Sequence, residues 1–485
     1  MNYGSLYLAY KVNDVYGKKE NCMKRKSACI VMLLVCVSLL FAGGAAESKK
    51  DTPLKDASVY QVAEVAKYID DDPSSITGTV RFWTAFKGDA GMNDIITAFN
   101  KVYPNIKVEL NTYSNNSNGN VGVDTALMAG DKIDVLHTFG LNNTTRRWQN
   151  DLFIDLSKRL AADGLDVKKE WGSDAYTYEG KYYTIPMGGL SNYVAINMKE
   201  WNKANLGKLP TEWTWDEYLE ASRKMTHGEG ASKVYGGSDY HSINYFAYPL
   251  RQMKGYDVYY KEDGTSNFDD PEFLKALKRE IMAEQQEKIW FPLTVYRSDS
   301  MQAQMTYTTG QVASIVMPNV LRFIRDTKTY PVDWITGFAP YPVEEKGQPN
   351  YMAGVSIYSH AGICKGTKNF EAAYAFLKFF STYGSINLVS AGHMPTWKGT
   401  NLENAVQVIF GSREKADKIV DVPSMLKVVF DYSSPSYIEN NTKAYSEIES
   451  LINQYVLDAH NGKLTPEQAL EQLKIEADEA IKNAE

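Results

Sequence analysis

The 485-residue chain is 44% hydrophobic and 23% charged, the balance of a soluble globular protein with enough length for two or more domains. It holds 59 Asp and Glu against 52 Lys and Arg. An acidic chain of this kind is poorly suited to nucleic acid or to anionic membrane surfaces.

The N-terminus reads as an export signal. Lys24, Arg25 and Lys26 follow Met23, an apolar run from Ala28 to Ala42 is interrupted only by Ser38, and small residues come next. A basic segment, an apolar segment and a small-residue cleavage zone form a secretory signal. The run is short of the roughly 20 residues of a membrane span, so a membrane anchor is the weaker reading. Met23 is the expected start, with residues 1–46 as N-terminal extension plus signal. Cys36 follows Val35 and Cys29 sits too early, so neither makes a good lipobox. Cleavage is expected near Ala45–Ala46, giving a soluble periplasmic or extracellular product. Residues 1–46 hold six basic and two acidic residues, which leaves 46 Lys and Arg against 57 Asp and Glu, a net charge near −11. Cys364 is then the one remaining cysteine, and no intrachain disulfide can form.

Residues 47–76 read as a polar tail or linker, with one short helix around Val59–Tyr68 and a DDPSS turn at its end. "TVRFW" from Thr79 has the β-branched and aromatic content of a strand. Met92, Ile95, Ile96, Phe99, Val102 and Tyr103 follow at helical spacing. Pro104 stops that helix, and Ile106, Val108 and Leu110 alternate as a half-buried strand. "GVDTALMAG" predicts a helix, "DKIDVLHTFG" a buried strand ending in a loop, and "RRWQNDLFIDLSKRL" a turn and helix. This order is that of an α/β layer architecture, in which ligands bind beyond the carboxyl ends of the strands.

"GKYYTIPMGGLSNYVAINMKEW" predicts two strands broken at Pro-Met-Gly-Gly. "PTEWTWDEYLEASRKM" predicts a helix capped near Thr214. "NFDDPEFLKALKREIMAEQQEKI" predicts another, with Asp269 or Asp270 as N-cap and Pro271 in its first turn. "GQVASIVMPNVLRFI" reads as strand then helix, and "NFEAAYAFLKFFST" as an amphipathic helix. "LTPEQALEQLKIEADEAIKN" reads as a polar surface helix. There is no G-x-S-x-G, Walker A loop or G-x-G-x-x-G after a strand. The six histidines are dispersed without zinc spacing, and no carboxylate pair stands out for glycoside hydrolysis. The acidic clusters at Asp70–Asp72 and Asp269–Asp270 are explained by turns and caps. No enzyme, metal or cofactor is expected.

Several segments in order resemble the extracellular solute-binding proteins of ABC importers, in the sugar-binding group that includes maltose-binding protein. "VRFWTAFKGDAGMNDIITAFNKVYPNIKVE" looks like that family's first βαβ unit, and "AGDKIDVLHTFG" like a later strand of the same lobe. "YYTIPMGGLSNYVAINMKEWNKANL" with "PTEWTWDEYLEASRKM" looks like its first crossover between lobes. "QVASIVMPNV" resembles the strand and turn over the ligand, and "AGVSIYSHAGICKGTKNFEAAYAFLKFFST" the return crossover. "GHMPTWKGT" and "LTPEQAL" resemble the later loop and the start of the C-terminal helix. The resemblance implies a type II periplasmic-binding-protein-like fold, two α/β lobes joined by hinge strands around an interlobe cleft. Lobe I would take residues 77–186 and about 358–400; lobe II would take 187–357 and about 401–485. It also implies closure of the lobes around a ligand and docking on a membrane permease.

A sugar offers C–H faces and a rim of hydroxyls, so its cleft needs aromatic faces with donors and acceptors. Trp83 follows the first strand, where family contacts often occur, although a core ring also suits that position. Phe86 and Lys87 are weaker candidates beside it. Asn142 and Asn143 could bond hydroxyls or serve an ordinary turn. Met187 and Gly188 fall at the crossover, where the family often has a Trp or carboxylate and this chain has Met-Gly-Gly. Asp239, Tyr240, His241, Asn244 and Tyr245 form the ligand-facing segment of lobe II by resemblance, with Tyr245 and His241 foremost. Met317 and Asn319 occupy the turn over the ligand, and Asn319 is the hydrogen-bonder. Gly354 and Ser356 belong to the hinge segment, and Tyr432 and Tyr437 could stack on ligand or pack. The expected protein is a monomeric binding component of an ABC importer for a mono- or oligosaccharide. The alternatives are the same fold binding a glycerophosphoester or polyamine, or feeding a sensor receptor.

Overall fold

Strand β1 (Gly78–Thr84) buries Val80, Phe82 and Thr84 and leaves Arg81 and Trp83 half-buried on its other face, as two-residue alternation requires. The computed structural model describes residues 68–484 other than 173–176, 240–242, 300, 302, 317–318, 432, 435–436 and 440–442. The expected signal, most of the Val59–Tyr68 helix, Tyr240, His241, Met317 and Tyr432 lie outside the described residues. Helix α1 (Met92–Val102) buries Met92, Ile95, Ala98 and Phe99, and strand β2 (Ile106–Thr112) pairs in parallel with β1. The strand–helix–strand expected at 79–113 is therefore present.

Helix α2 (Ser117–Met128) is capped by Asn116, whose side chain accepts from Gly119 N. Strand β3 (Val135–Phe139) is buried throughout. Helix α3 (Leu141–Gln149) begins straight after Gly140, so Asn142 and Asn143 lie in the first turn of a helix, where a loop was expected. The reason is Arg147, which is fully buried and reaches back to α2 and β3. Its Nε donates to Asp124 at 2.7 Å, its Nη2 to Asn120 at 2.8 Å, and its Nη1 to Thr138.

Strands β4 (Ile185–Ser191) and β5 (Tyr193–Asn197) are separated by Asn192 alone. The break expected at Pro-Met-Gly-Gly does not occur. Register shifts at Pro186/Gly188 and Gly188/Gly189 absorb it as a bulge within β4. Helix α4 (Trp215–Met225) carries a full capping box between Thr214 and Glu217. Helix α5 (Pro271–Ile281) has Asp270 as N-cap, accepting from Glu272 N. Strand β6 (Ser314–Val316), helix α6 (Val320–Ile324), strand β7 (Thr336–Pro340) and strand β8 (Val355–Ile363) follow. Helix α7 (Phe370–Phe379), strand β9 (Met394–Pro395) and helices α8 (Val422–Val428), α9 (Tyr445–His460) and α10 (Pro466–Asn483) complete the elements needed here.

Two sheets result. One has the order β2-β1-β3-β8-β4-β9, the other β6-β5-β7. In the six-stranded sheet β1, β2 and β3 are parallel, and β8 runs antiparallel between β3 and β4. The carboxyl ends of β1, β3 and β4 therefore share one edge with the start of β8. One face is covered by Phe82, Ile95, Phe99, Phe376 and Phe380. The other holds a smaller cluster of Val123, Leu136, Trp148, Phe153 and Cys364. The three-stranded sheet packs Val194 and Ile196 on Trp213, Trp215, Tyr218 and Trp290. A helical core joins Phe273 and Leu277 of α5 to Ile448, Ile452 and Val456 of α9 and Leu470 and Leu473 of α10. Helix α10 is thus not a purely polar surface helix, because Ala469, Leu470, Leu473, Ala477 and Ile481 are buried along one stripe.

The segment before β1 is tied down. Asp70 bonds Lys378 Nζ at 3.1 Å and Tyr103 Oη at 2.8 Å, and Lys378 also meets Asp163 at 2.9 Å. Asp70 is therefore an ion-pair partner as well as part of a turn. Tyr68 Oη donates to Glu170, which also accepts from Trp397 Nε1 at 2.8 Å. Among the described residues no helix is long and apolar enough to cross a membrane.

Candidate functional site

The shared carboxyl edge of the six-stranded sheet collects aromatic rings. Phe86 stands two residues beyond β1. Its ring centroid lies 4.9 Å from Phe139 at the end of β3 and 4.8 Å from His393 just before β9, edge to face in both cases. Tyr358 of β8 lies 5.5 Å from His393 and 6.3 Å from Phe139. Four chain segments far apart in sequence thus supply one ring cluster. Phe86 and Tyr358 are half-buried, while Phe139 and His393 are buried. Each edge-to-face pair contributes about 1 kcal/mol beyond its buried area, which holds the exposed ring faces in place.

The cluster rests on polar supports. Thr84 Oγ1 lies 3.0 Å from His137 Nδ1, and Thr84 Oγ1 also accepts from Phe86 N at 3.2 Å. Tyr113 Oη donates to the His137 carbonyl at 2.7 Å. Burial pushes His137 and His360 down, the latter to about 3. Burial, reinforced by the Arg322 guanidinium, also holds His393 at about 3. These imidazoles are neutral at any ordinary pH, so the charges nearest the rings are those of the Arg322 guanidinium and the exposed Lys87.

The expected site residues divide into three groups. Phe86, Lys87, Asn142, Asn143, Gly354 and Ser356 lie along this edge. Lys87 and Asn142 are exposed, while Asn143 donates to the Phe139 carbonyl at 3.0 Å and accepts from Arg146 at 3.1 Å. Asn319 approaches the same region from the other sheet. A Cβ placed on Gly392 would stand 2.8 Å from the Asn319 Cβ. Close by, Arg325 Nη2 donates to the Ser390 carbonyl at 3.0 Å.

A second group packs inside the protein. Trp83 alternates with Phe82 and lies against the Val123, Trp148 and Phe153 cluster, away from Phe86. Met187 is fully buried in the core beneath the sheet. At Gly188 an added Cβ would meet Leu388 Cδ1 at 2.9 Å, so the small residue is explained by strand packing, and its N–H donates to Ser359 Oγ at 3.1 Å.

The third group sits within the second sheet and the helical core. Asp239 is 3% exposed. Burial, then Glu284 and Glu280, raise its pKa well above the usual carboxylate range. Tyr245 is buried against Tyr248 at 4.5 Å and donates to the Val316 carbonyl at 3.0 Å. Asn244 donates to Glu449 at 3.0 Å. Tyr437 lies under the Arg251 guanidinium, 5.0 Å from its ring centroid.

Phe139, Tyr358 and His393 were missed in the sequence. "HTFG" and "GHMPTW" contain two of them, but their convergence depends on the antiparallel pairing of β3 with β8, in which Phe139 faces Ser359. Among the described residues no group of three or more His, Cys, Asp or Glu is placed to hold a metal ion.

The profile of the family described as bacterial extracellular solute-binding protein matches residues 84–385. Solved structures share the fold at low identity. A sugar transporter from Rhizobium etli in an open conformation superposes with a TM-score of 0.67 at 17% identity, covering 84% of this chain and 100% of the other. An ABC substrate-binding protein from Listeria monocytogenes in complex with cycloalternan gives 0.62 at 20% identity, covering 83% and 98%. A maltose/maltodextrin-binding domain from Bdellovibrio bacteriovorus bound to maltotriose gives 0.59 at 16% identity, covering 84% and 100%.

Proposed function

Since the chain belongs to the bacterial extracellular solute-binding proteins, we propose that it captures a mono- or oligosaccharide between two lobes and delivers it to an ABC permease. The observation that carries this reading is the ring cluster of Phe86, Phe139, Tyr358 and His393 at the carboxyl edge of the six-stranded sheet. Aromatic faces accept the C–H surfaces of a pyranose, and Asn142, Asn143 and Ser356 supply hydroxyl partners nearby. The cluster carries no acidic side chain, which favours a sugar over a polyamine. The sugar ligands of the Listeria and Bdellovibrio structures agree with this class.

We place the six-stranded sheet, with residues 77–186 and about 358–400, in lobe I, and residues 187–357 and about 401–485 in lobe II. The hinge strands then run through Ser191–Tyr193 and Gly354–Ser356. The protein acts as an exported monomer after cleavage of the N-terminal signal, and it performs no catalysis. A thermal-shift screen against mono- and oligosaccharides tests the reading, because a ligand confined to the folded state raises the melting temperature. A carbohydrate that raises it supports the proposal. A screen in which only polyamines or phosphoesters act overturns it.

A further inference from the structure

A cavity of about 530 Å³ lies beside the two crossovers, and none of Phe86, Phe139, Tyr358 and His393 lines it. Its size is that of a small-molecule site. Asn192, the one residue between β4 and β5, forms part of its wall, as do Ala353 and Gly354 just before β8. The remaining wall comes from the end of β7, the loop before α4, and helix α8 with the turn after it.

That turn holds both crossovers. Ser191 Oγ donates to the Val429 carbonyl at 2.5 Å, and Val355 N donates to the Asp431 carbonyl at 3.0 Å. Gly354 has φ +80°, and an added Cβ would stand 2.6 Å from the Asp431 carbonyl oxygen, so a glycine is required there. Any rotation of one sheet against the other passes through these segments and must reshape the cavity they line.

The lining chemistry is mixed. Tyr341 and Phe338 give a buried aromatic wall. Lys427 lies exposed at the rim with Thr211. The Asp431 carboxylate accepts from Ser433 at 2.6 Å and Ser434 at 2.7 Å. Glu212 adds a second carboxylate, so a ligand of either charge would meet a like charge, from Lys427 or from Glu212 and Asp431. Hydroxyls both donate and accept, and so suit both.

We propose that this cavity is a second solute site, for a small uncharged polyol of monosaccharide size, whose occupancy is coupled to closure of the two lobes. The site is separate from the one assigned to the ring cluster. By linkage, a polyol bound there changes affinity at the ring cluster, and the reverse holds by the same factor.

Calorimetric titration of the full chain with D-glucose, D-galactose and myo-inositol tests this, using wild type, Thr211→Trp and Phe86→Ala. Thr211 is exposed, so the new ring enters the cavity without disturbing the core. Lys427→Ala at the rim gives a second comparison. At least one polyol is expected to bind wild type, to lose tenfold or more in affinity in Thr211→Trp, and to bind Phe86→Ala unchanged. No binding to wild type, or binding unaffected by both Thr211→Trp and Lys427→Ala, overturns the proposal. Binding lost only in Phe86→Ala leaves the ring cluster as the sole site. Binding lost only in the cavity variants sustains the cavity and removes the ring-cluster reading for these ligands.

Discussion

Arg325 of the segment after α6 donates to the carbonyl of Ser390, which belongs to the 3₁₀ segment beside the six-stranded sheet, at 3.0 Å. This bond, with the approach of Asn319 to Gly392, joins the two sheets' territories outside the crossovers. A charged donor of this kind contributes about 1.5–3 kcal/mol at most, and solvent reduces it where Arg325 is half-exposed.

Arg325→Ala is therefore expected to weaken ligand binding about fivefold, the equivalent of about 1 kcal/mol, with little change in melting temperature. Gly392→Val should act more strongly. Gly392 has φ +83° and no room for a side chain against Asn319 and Arg322, so the variant holds the lobes apart. Small-angle scattering with and without ligand checks both. A ligand-induced contraction equal to wild type in Gly392→Val would refute the contact's role in closure.

Trp83 and Phe86 are three residues apart and separate cleanly in expectation. Trp83→Ala opens a void in the Val123, Trp148 and Phe153 cluster and should cost about 2–3 kcal/mol of stability, with ligand affinity retained. Phe86→Ala removes a half-exposed ring and should reduce affinity tenfold or more at a smaller stability cost. Denaturant melts paired with titration distinguish the two. Reversed outcomes would move the ligand to the Trp83 face.

A buried titrating group predicts pH dependence. His460 is 2% exposed, with Nδ1 3.1 Å from Glu284 and Nε2 3.6 Å from Glu280. Burial works against its charge, but Glu284 and Glu280 outweigh that and hold the imidazolium up to about 10. The folded value is raised above the ordinary 6.5, so the stabilisation is fully present below pH 6.5 and is lost as pH rises toward 10. The melting temperature should fall over that interval, and the fall should be smaller in His460→Gln. That variant also leaves buried carboxylates unpaired and should lose about 3 kcal/mol or more at pH 6. An identical pH profile for both proteins would exclude His460 as the cause.

Lys378 is the counterpart outside that helical core. Its ammonium, 4% exposed, sits between Asp70 and Asp163. Lys378→Met should destabilise by about 3 kcal/mol through the two carboxylates left behind. It should also expose residues 68–76 to limited proteolysis. Unchanged protection of that segment would show that Tyr68 and Glu170 suffice to hold it.

Local features were readable in the sequence because their causes are local. The pattern at 91–103 and the caps at Thr214 and Asp270 each depend on a few neighbouring side chains. Position along the chain did not reveal direction across a sheet. Trp83 and Phe86 both follow a strand, yet pleat alternation turns one inward against α2 and α3 and leaves the other at the open edge. Helix α9 went unnoticed because its buried positions make sense only against α5 and α10. Met187 and Gly188 were read from their place at a crossover, whereas their identities answer to the crowding of β4 by the 3₁₀ segment at Ser385–Ala391. The ring cluster needed the β3–β8 pairing before its members could be seen together.

Cys364 lies 1% exposed, and burial pushes its thiol far above the usual range. It is the only cysteine beyond residue 36, and a thiol so buried stays protonated and unreactive. Cysteines introduced at Lys87 and Arg322, both exposed, could then be labelled without competition from it. A dye pair at those positions would turn lobe motion into an optical signal, making the protein a reporter for whatever solute it captures.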